Sequence, residues 1–135
     1  MLNYYVLDKS CKKLLVRGVN WIGDAIMTLP ALRALRKAMP DTKITILVKP
    51  WVLPVFEKDP NIDEIITYGN EFTGFIGKLR LSRILKKKDF CGVILLQNAF
   101  EAALIASLAG IKERIGYDRD GREFLLTKSI PVPDN

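Results

Sequence analysis

The chain contains no histidine. That absence excludes Ser-His-Asp and Cys-His nucleophilic catalysis and removes the commonest zinc ligand. Acid–base chemistry, if present, must rest on carboxylates. Cysteine is scarce: Cys11 and Cys91 are the only two. Each adjoins a predicted strand and neither has a metal-ligand partner nearby, so no metal site is expected. No apolar run approaches the ~20 residues that span a bilayer. The segment Met1–Ser10 lacks a basic region and a long apolar stretch, so it does not read as a signal peptide. Cytoplasmic residence is the default expectation. There is no internal repeat and no low-complexity tract.

What is present suits one globular domain. A length of 135 residues allows a real core, and 49% hydrophobic with 27% charged residues argues against disorder. The net charge is +6. An excess of this sign fits an anionic partner, whether nucleic acid, anionic lipid or a phosphorylated substrate, and composition does not choose among them.

The stretch Lys13–Pro30 is the centre of the chain. Leu14, Leu15 and Val16 form an apolar β run, Gly18 to Gly23 form a two-glycine loop, and a helix is predicted from Asp24 to Met39. Ile26, Leu29, Leu32, Leu35 and Met39 mark its apolar face, and Pro30 should kink or tighten its first turns. Glycines permit close backbone approach and φ > 0, and a helix N-terminus offers free N–H groups. Asp24 reads either as an N-cap or first-turn aspartate or as a general base at the mouth of a cleft. The loop spacing Gly18-x4-Gly23 matches neither the dinucleotide fingerprint nor a P-loop, which weakens NAD- and ATP-binding readings.

Further strands are predicted at Lys43–Val48, Asn61–Tyr68, Asp89–Leu96 and Glu113–Gly116, with an extended segment between Glu123 and Ile130. Helices are predicted over Leu79–Lys88 and Asn98–Leu108, the second closed by Gly110. Trp51 reads as packing. Strands alternating with helices imply an α/β fold, a Rossmann-like parallel sheet with helices on both faces. Residues 1–12 read as a leader, 13–130 as the domain, and 131–135 as the start of a linker.

The run Arg17-Gly-Val-Asn-Trp-Ile-Gly-Asp-Ala-Ile-Met-Thr-Leu-Pro-Ala-Leu32 resembles the opening motif of the ADP-heptose:lipopolysaccharide heptosyltransferases, glycosyltransferase family 9. Its Asn20-Trp21-Ile22-Gly23-Asp24 form is more like type II than type I. Two further matches follow in order, Leu96–Phe100 and Ala109–Tyr117. The resemblance implies the N-terminal, acceptor-binding half of a GT-B glycosyltransferase. A missing C-terminal domain would bind ADP-heptose, and this chain alone should be inactive. By the same resemblance Asp24 is the catalytic base. Gly18, Asn20, Trp21 and Gly23 border the acceptor. Lys78, Arg80 and Arg83 in one region, and Arg119 and Arg122 in another, meet its acidic groups. Gln97 and Asn98 reach sugar hydroxyls.

The acceptor implied is the lipopolysaccharide inner core, heptosyl-Kdo-lipid A, at the inner face of the cytoplasmic membrane. No cofactor or metal is implied. Each of these charges also reads as solvated surface, and Asn98 as an N-cap. Lys86-Lys87-Lys88 reads as a solvated helix end, or as a segment resting on an anionic leaflet. Glu101 stands where some type II enzymes carry lysine, which leaves the acceptor open. A type I or other ADP-heptose-dependent enzyme is the near alternative. A Rossmann-like module for an anionic ligand is the non-enzyme alternative. Nucleic acid is disfavoured, since no recognition motif or aromatic cluster is present.

Overall fold

A computed structural model describes residues 11–96, 100–111, 113–117 and 128–130. Among these residues six strands are seen: β1 (Lys13–Arg17), β2 (Lys43–Val48), β3 (Glu64–Thr67), β4 (Gly92–Leu95), β5 (Glu113–Tyr117) and β6 (Lys128–Ile130). The helices are α1 (Ile22–Ala38), α2 (Leu53–Phe56), α3 (Gly74–Lys87) and α4 (Phe100–Leu108). The strands form one sheet in the order β3-β2-β1-β4-β5-β6, and every pairing is parallel. This is the Rossmann arrangement expected from the sequence.

Alternation along each strand supplies two cores, one per face. Leu14, Val16, Ile44, Ile46, Val48 and Ile94 point into one cluster with Ala25, Leu32 and Leu35 of α1 and Phe56 of α2. Leu15, Leu47, Val93 and Leu95 point the other way, against Leu81 and Leu85 of α3 and Ala102, Ile105 and Ala106 of α4. Cys11 joins the first core, and Cys11 and Cys91 stand as a disulfide with Cα atoms 5.7 Å apart. The Thr42 hydroxyl donates to the Cys11 carbonyl at 2.7 Å, fastening the amino edge of the sheet.

Several local expectations change, and α3, predicted from Leu79, begins at Gly74. α1 begins at Ile22, two positions before Asp24, and continues through Pro30 to Ala38. Pro30 lies on the outward side, where its ring meets solvent and the helix tolerates the lost bond. Ile26, read as core, is half exposed, and Ala25 is buried in its place. The α4 terminus behaves as expected. Gly110 adopts φ +72 and, with Ile111, sends its N–H back to Ser107 and Ala106, a Schellman closure.

At the amino edge Arg36 donates to the Thr42 carbonyl at 2.8 Å and pairs with Asp63 at 2.5 Å. Burial raises the Asp63 pKa. The Ile44 N–H and the Arg36 guanidinium outweigh that, and the carboxyl sits below its ordinary 3.8. Glu64 behaves likewise: burial raises it, but bonds from Lys88 and Thr45 leave it below 4.5. A folded pKa below the unfolded one gives stability that is present above the unfolded value and lost as pH falls through the folded one. Thermal melts from about pH 5 down to 2.5 should therefore show a falling Tm. Asp63→Asn should flatten part of that decline, and an unchanged acid limb would show that the pair contributes nothing.

Candidate functional site

Strand order reverses direction between β1 and β4, the point beyond whose carboxyl ends open α/β sheets generally place their ligands. The loop after β1 carries the two glycines. The Gly18 N–H donates to the Leu47 carbonyl at 2.9 Å, and a Cβ there would lie 2.6 Å from Val48 Cγ1. Gly18 thus lets the loop press against β2. Gly23 is the second residue of α1, and a Cβ on it would meet nothing within 4 Å. Among the described glycines only Gly74 and Gly110 have positive φ. The two loop glycines therefore serve space rather than a left-handed backbone: one approaches the sheet and the other leaves the helix mouth open.

The N-cap of α1 is Trp21, in extended conformation, and it makes no side-chain capping bond. Asp24 is the third helical residue. It is exposed and has no hydrogen-bond or ion-pair partner among the described residues. The capping role is not what the structure shows. The carboxylate stands in the first turn with only the helix dipole for support, and it can accept a proton or a hydrogen bond from a ligand hydroxyl.

Asn20 is held from two sides. Its backbone carbonyl accepts from Trp51 Nε1 at 2.7 Å, and its Oδ1 accepts from the Tyr68 hydroxyl at 3.2 Å. These bonds lock the β1 loop to the segments that follow β2 and β3. Trp51, read as packing, is half exposed and acts as this brace. The Tyr68 ring in turn carries two cations: Arg17 Cζ and Lys49 Nζ each lie 4.1 Å from its centroid.

Beside Tyr68 opens a cleft of about 230 Å³, bordered by Lys49, Phe72, Thr73 and Lys78 and floored by Leu81 and Ile105. The described residues lining it include two lysines and no carboxylate. Such a cleft favours an anionic ligand with a carbon frame: ammonium groups meet the charges and the floor meets the frame.

The sequence-derived residues are thus placed as follows. Gly18, Asn20, Trp21, Gly23 and Asp24 share the mouth between β1 and α1. Lys78 lines the cleft, and Arg80 stands exposed on α3 with its guanidinium 5.8 Å from the Phe72 ring centroid. Gln97, Asn98, Arg119 and Arg122 lie outside the described residues. Sequence reasoning missed Arg17, Lys49 and Tyr68 as site residues. One signal could have found them: each closes or directly follows an apolar strand, β1, β2 or β3, at its carboxyl end.

Comparison with known proteins bears on the fold and the family likeness. The profile of Glycosyltransferase family 9 (heptosyltransferase) matches residues 78–135. Lipopolysaccharide heptosyltransferase 2 of Escherichia coli strain K12 is 29% identical over 116 residues, covering 84% of this chain and 33% of the relative. Its Salmonella typhimurium counterpart is 30% identical with the same coverage. The chain thus spans about a third of the length of the curated relatives it matches. Among solved structures, E. coli ADP-heptose lps heptosyltransferase II superposes with a TM-score of 0.80 at 29% identity, over 90% of this chain and 35% of that one. A glycosyl transferase family 9 structure from Veillonella parvula gives 0.84 at 27% identity, over 95% of this chain and 38% of that one. In sequence and in fold, the chain is similar to the N-terminal part of the glycosyltransferase family 9 heptosyltransferases.

Proposed function

We propose that this chain is the acceptor-binding half of an inverting glycosyltransferase. The enzyme would move L-glycero-D-manno-heptose from ADP-heptose onto the lipopolysaccharide inner core, with heptosyl-Kdo-lipid A as acceptor. The observation that carries the reading is Asp24, a carboxylate without a partner among the described residues, in the first turn of α1 at the point where strand order reverses. Asp24 takes the proton of the acceptor hydroxyl as that oxygen attacks the anomeric carbon. The bond from that carbon to the ADP oxygen breaks, ADP leaves with the bonding pair, and attack from the opposite face inverts the centre.

Lys49 and Lys78 receive the acceptor's carboxylates, with Tyr68 fixing Lys49 in place. The braced Asn20 and the open Gly23 keep the hydroxyl's approach free. No metal is needed if basic side chains and helix N-termini neutralise the leaving pyrophosphate. A second, C-terminal domain supplies the nucleotide-sugar site. The enzyme works in the cytoplasm, peripheral to the inner face of the membrane. No helix among the described residues is long and apolar enough to cross one.

The test is an NMR titration of this chain with a Kdo-containing core fragment and, separately, with ADP-heptose. The core fragment should shift the amides of Gly23, Asp24, Lys49 and Lys78, and ADP-heptose alone should shift little. Lys49→Met with Lys78→Met should weaken core-fragment binding by about tenfold or more, the usual worth of hydrogen bonds to charged groups. A strong response to ADP-heptose alone would overturn the assignment of this domain to the acceptor.

A further inference from the structure

α3 has an outer face that its fold leaves uncovered. Gly77, Leu81, Ser82 and Leu85 are buried against the sheet and α4. On the opposite side Phe75 is 71% exposed and Ile76 74% exposed. Ile76, Arg80, Arg83 and Lys87 follow at helical spacing, so they form one outward ridge. The helix carries Lys78, Arg80, Arg83, Lys86 and Lys87 and not one acidic residue. An apolar tip thus leads into a purely basic shaft. Gly74, at φ +73, turns the chain into that tip. The topology sets it at the carboxyl edge of the sheet, next in sequence to Thr73 and Gly74 of the cationic cleft.

We propose that this face of α3 seats on an anionic phospholipid bilayer, with Phe75 and Ile76 inserted among the acyl chains and Arg80, Arg83 and Lys87 on the lipid phosphates. Charge and area choose the occupant. A second copy would present the same cations and repel. Two apolar side chains fall far short of the roughly 800 Å² per partner of a stable protein interface. A bilayer needs only a shallow apolar wedge backed by several cations, which is the pattern of interfacial helices. The proposal deepens the peripheral location proposed above by naming the face that meets the lipid, and it does not depend on which sugar is moved. It would bring the cleft level with headgroups, where a lipid-borne acidic ligand is presented.

The test is flotation of the 135-residue chain with vesicles of phosphatidylethanolamine and phosphatidylglycerol, against vesicles of phosphatidylcholine alone. Binding is expected to the anionic vesicles only, and to fall as salt rises. Phe75→Ser with Ile76→Ser should weaken it by about tenfold or more. Arg80→Gln with Arg83→Gln should weaken it by about fivefold per charge. All four side chains are exposed, so melting temperatures should stay near that of the parent. Failure to bind anionic vesicles, or binding that neither pair of substitutions alters, overturns the proposal. Vesicle binding without any response to the core fragment would keep the membrane face and reject the acceptor reading.

Discussion

Asp24→Asn, placed in the two-domain enzyme proposed above, is expected to lower turnover by about 10²–10⁴-fold, the usual span of a lost general base. Asparagine keeps the shape and cannot take a proton. The effect should fall on kcat, with acceptor binding nearly unchanged, because the amide can still accept a hydrogen bond from the hydroxyl. Stability should move by less than about 1 kcal/mol: Asp24 has no hydrogen-bond partner among the described residues, and only the helix dipole is lost. Steady-state kinetics with both substrates, set beside a thermal melt, separate the two effects. Activity within a few-fold of the parent would reduce Asp24 to a first-turn charge, and the transfer mechanism would then need another base.

Gly77→Val should be the most damaging single change to the fold. A Cβ at Gly77 would lie 2.3 Å from the Phe72 carbonyl carbon and 2.6 Å from its oxygen. Those are backbone atoms and have no rotamer to yield, so α3 or the turn at Asn70–Phe72 must move. Overpacking of this kind costs about 1–3 kcal/mol or more. It also displaces Phe72 and Lys78, two borders of the cleft. Gly23→Ala is the matched control. Its Cβ enters open space, and the exchange of glycine for alanine inside a helix is neutral or stabilising. Chemical denaturation of both variants should give a large loss for the first and none for the second. If Gly77→Val were as stable as the parent, the seating of α3 on Phe72 would be wrong. If Gly23→Ala kept full stability but lost core-fragment binding, the open space above α1 would be ligand space.

Three glycines show where local reading stops. From sequence, both loop glycines looked alike, and nothing local set Gly77 apart from its neighbours in the chain. Three-dimensional neighbours separate them: Val48 for Gly18, Phe72 for Gly77, nothing for Gly23. Ile26 makes the same point. Its helical period put it on the apolar face, but the axis of α1 over the sheet turned Ala25 inward instead.

By itself the sequence determined the parallel α/β sheet, the order of its elements, the Schellman close at Gly110, and Asp24 beside a glycine loop at a strand-to-helix junction. These follow from side-chain period, β-branching and turn chemistry, all local along the chain. Only the tertiary structure decided which strand ends become neighbours. That choice brought Arg17, Lys49 and Tyr68 together from three strands, braced Asn20 through Trp51, and left Phe75 and Ile76 facing outward. The reason is physical. A contact across 31 to 51 positions of chain is fixed by how whole layers pack and register, and no window of sequence carries that information.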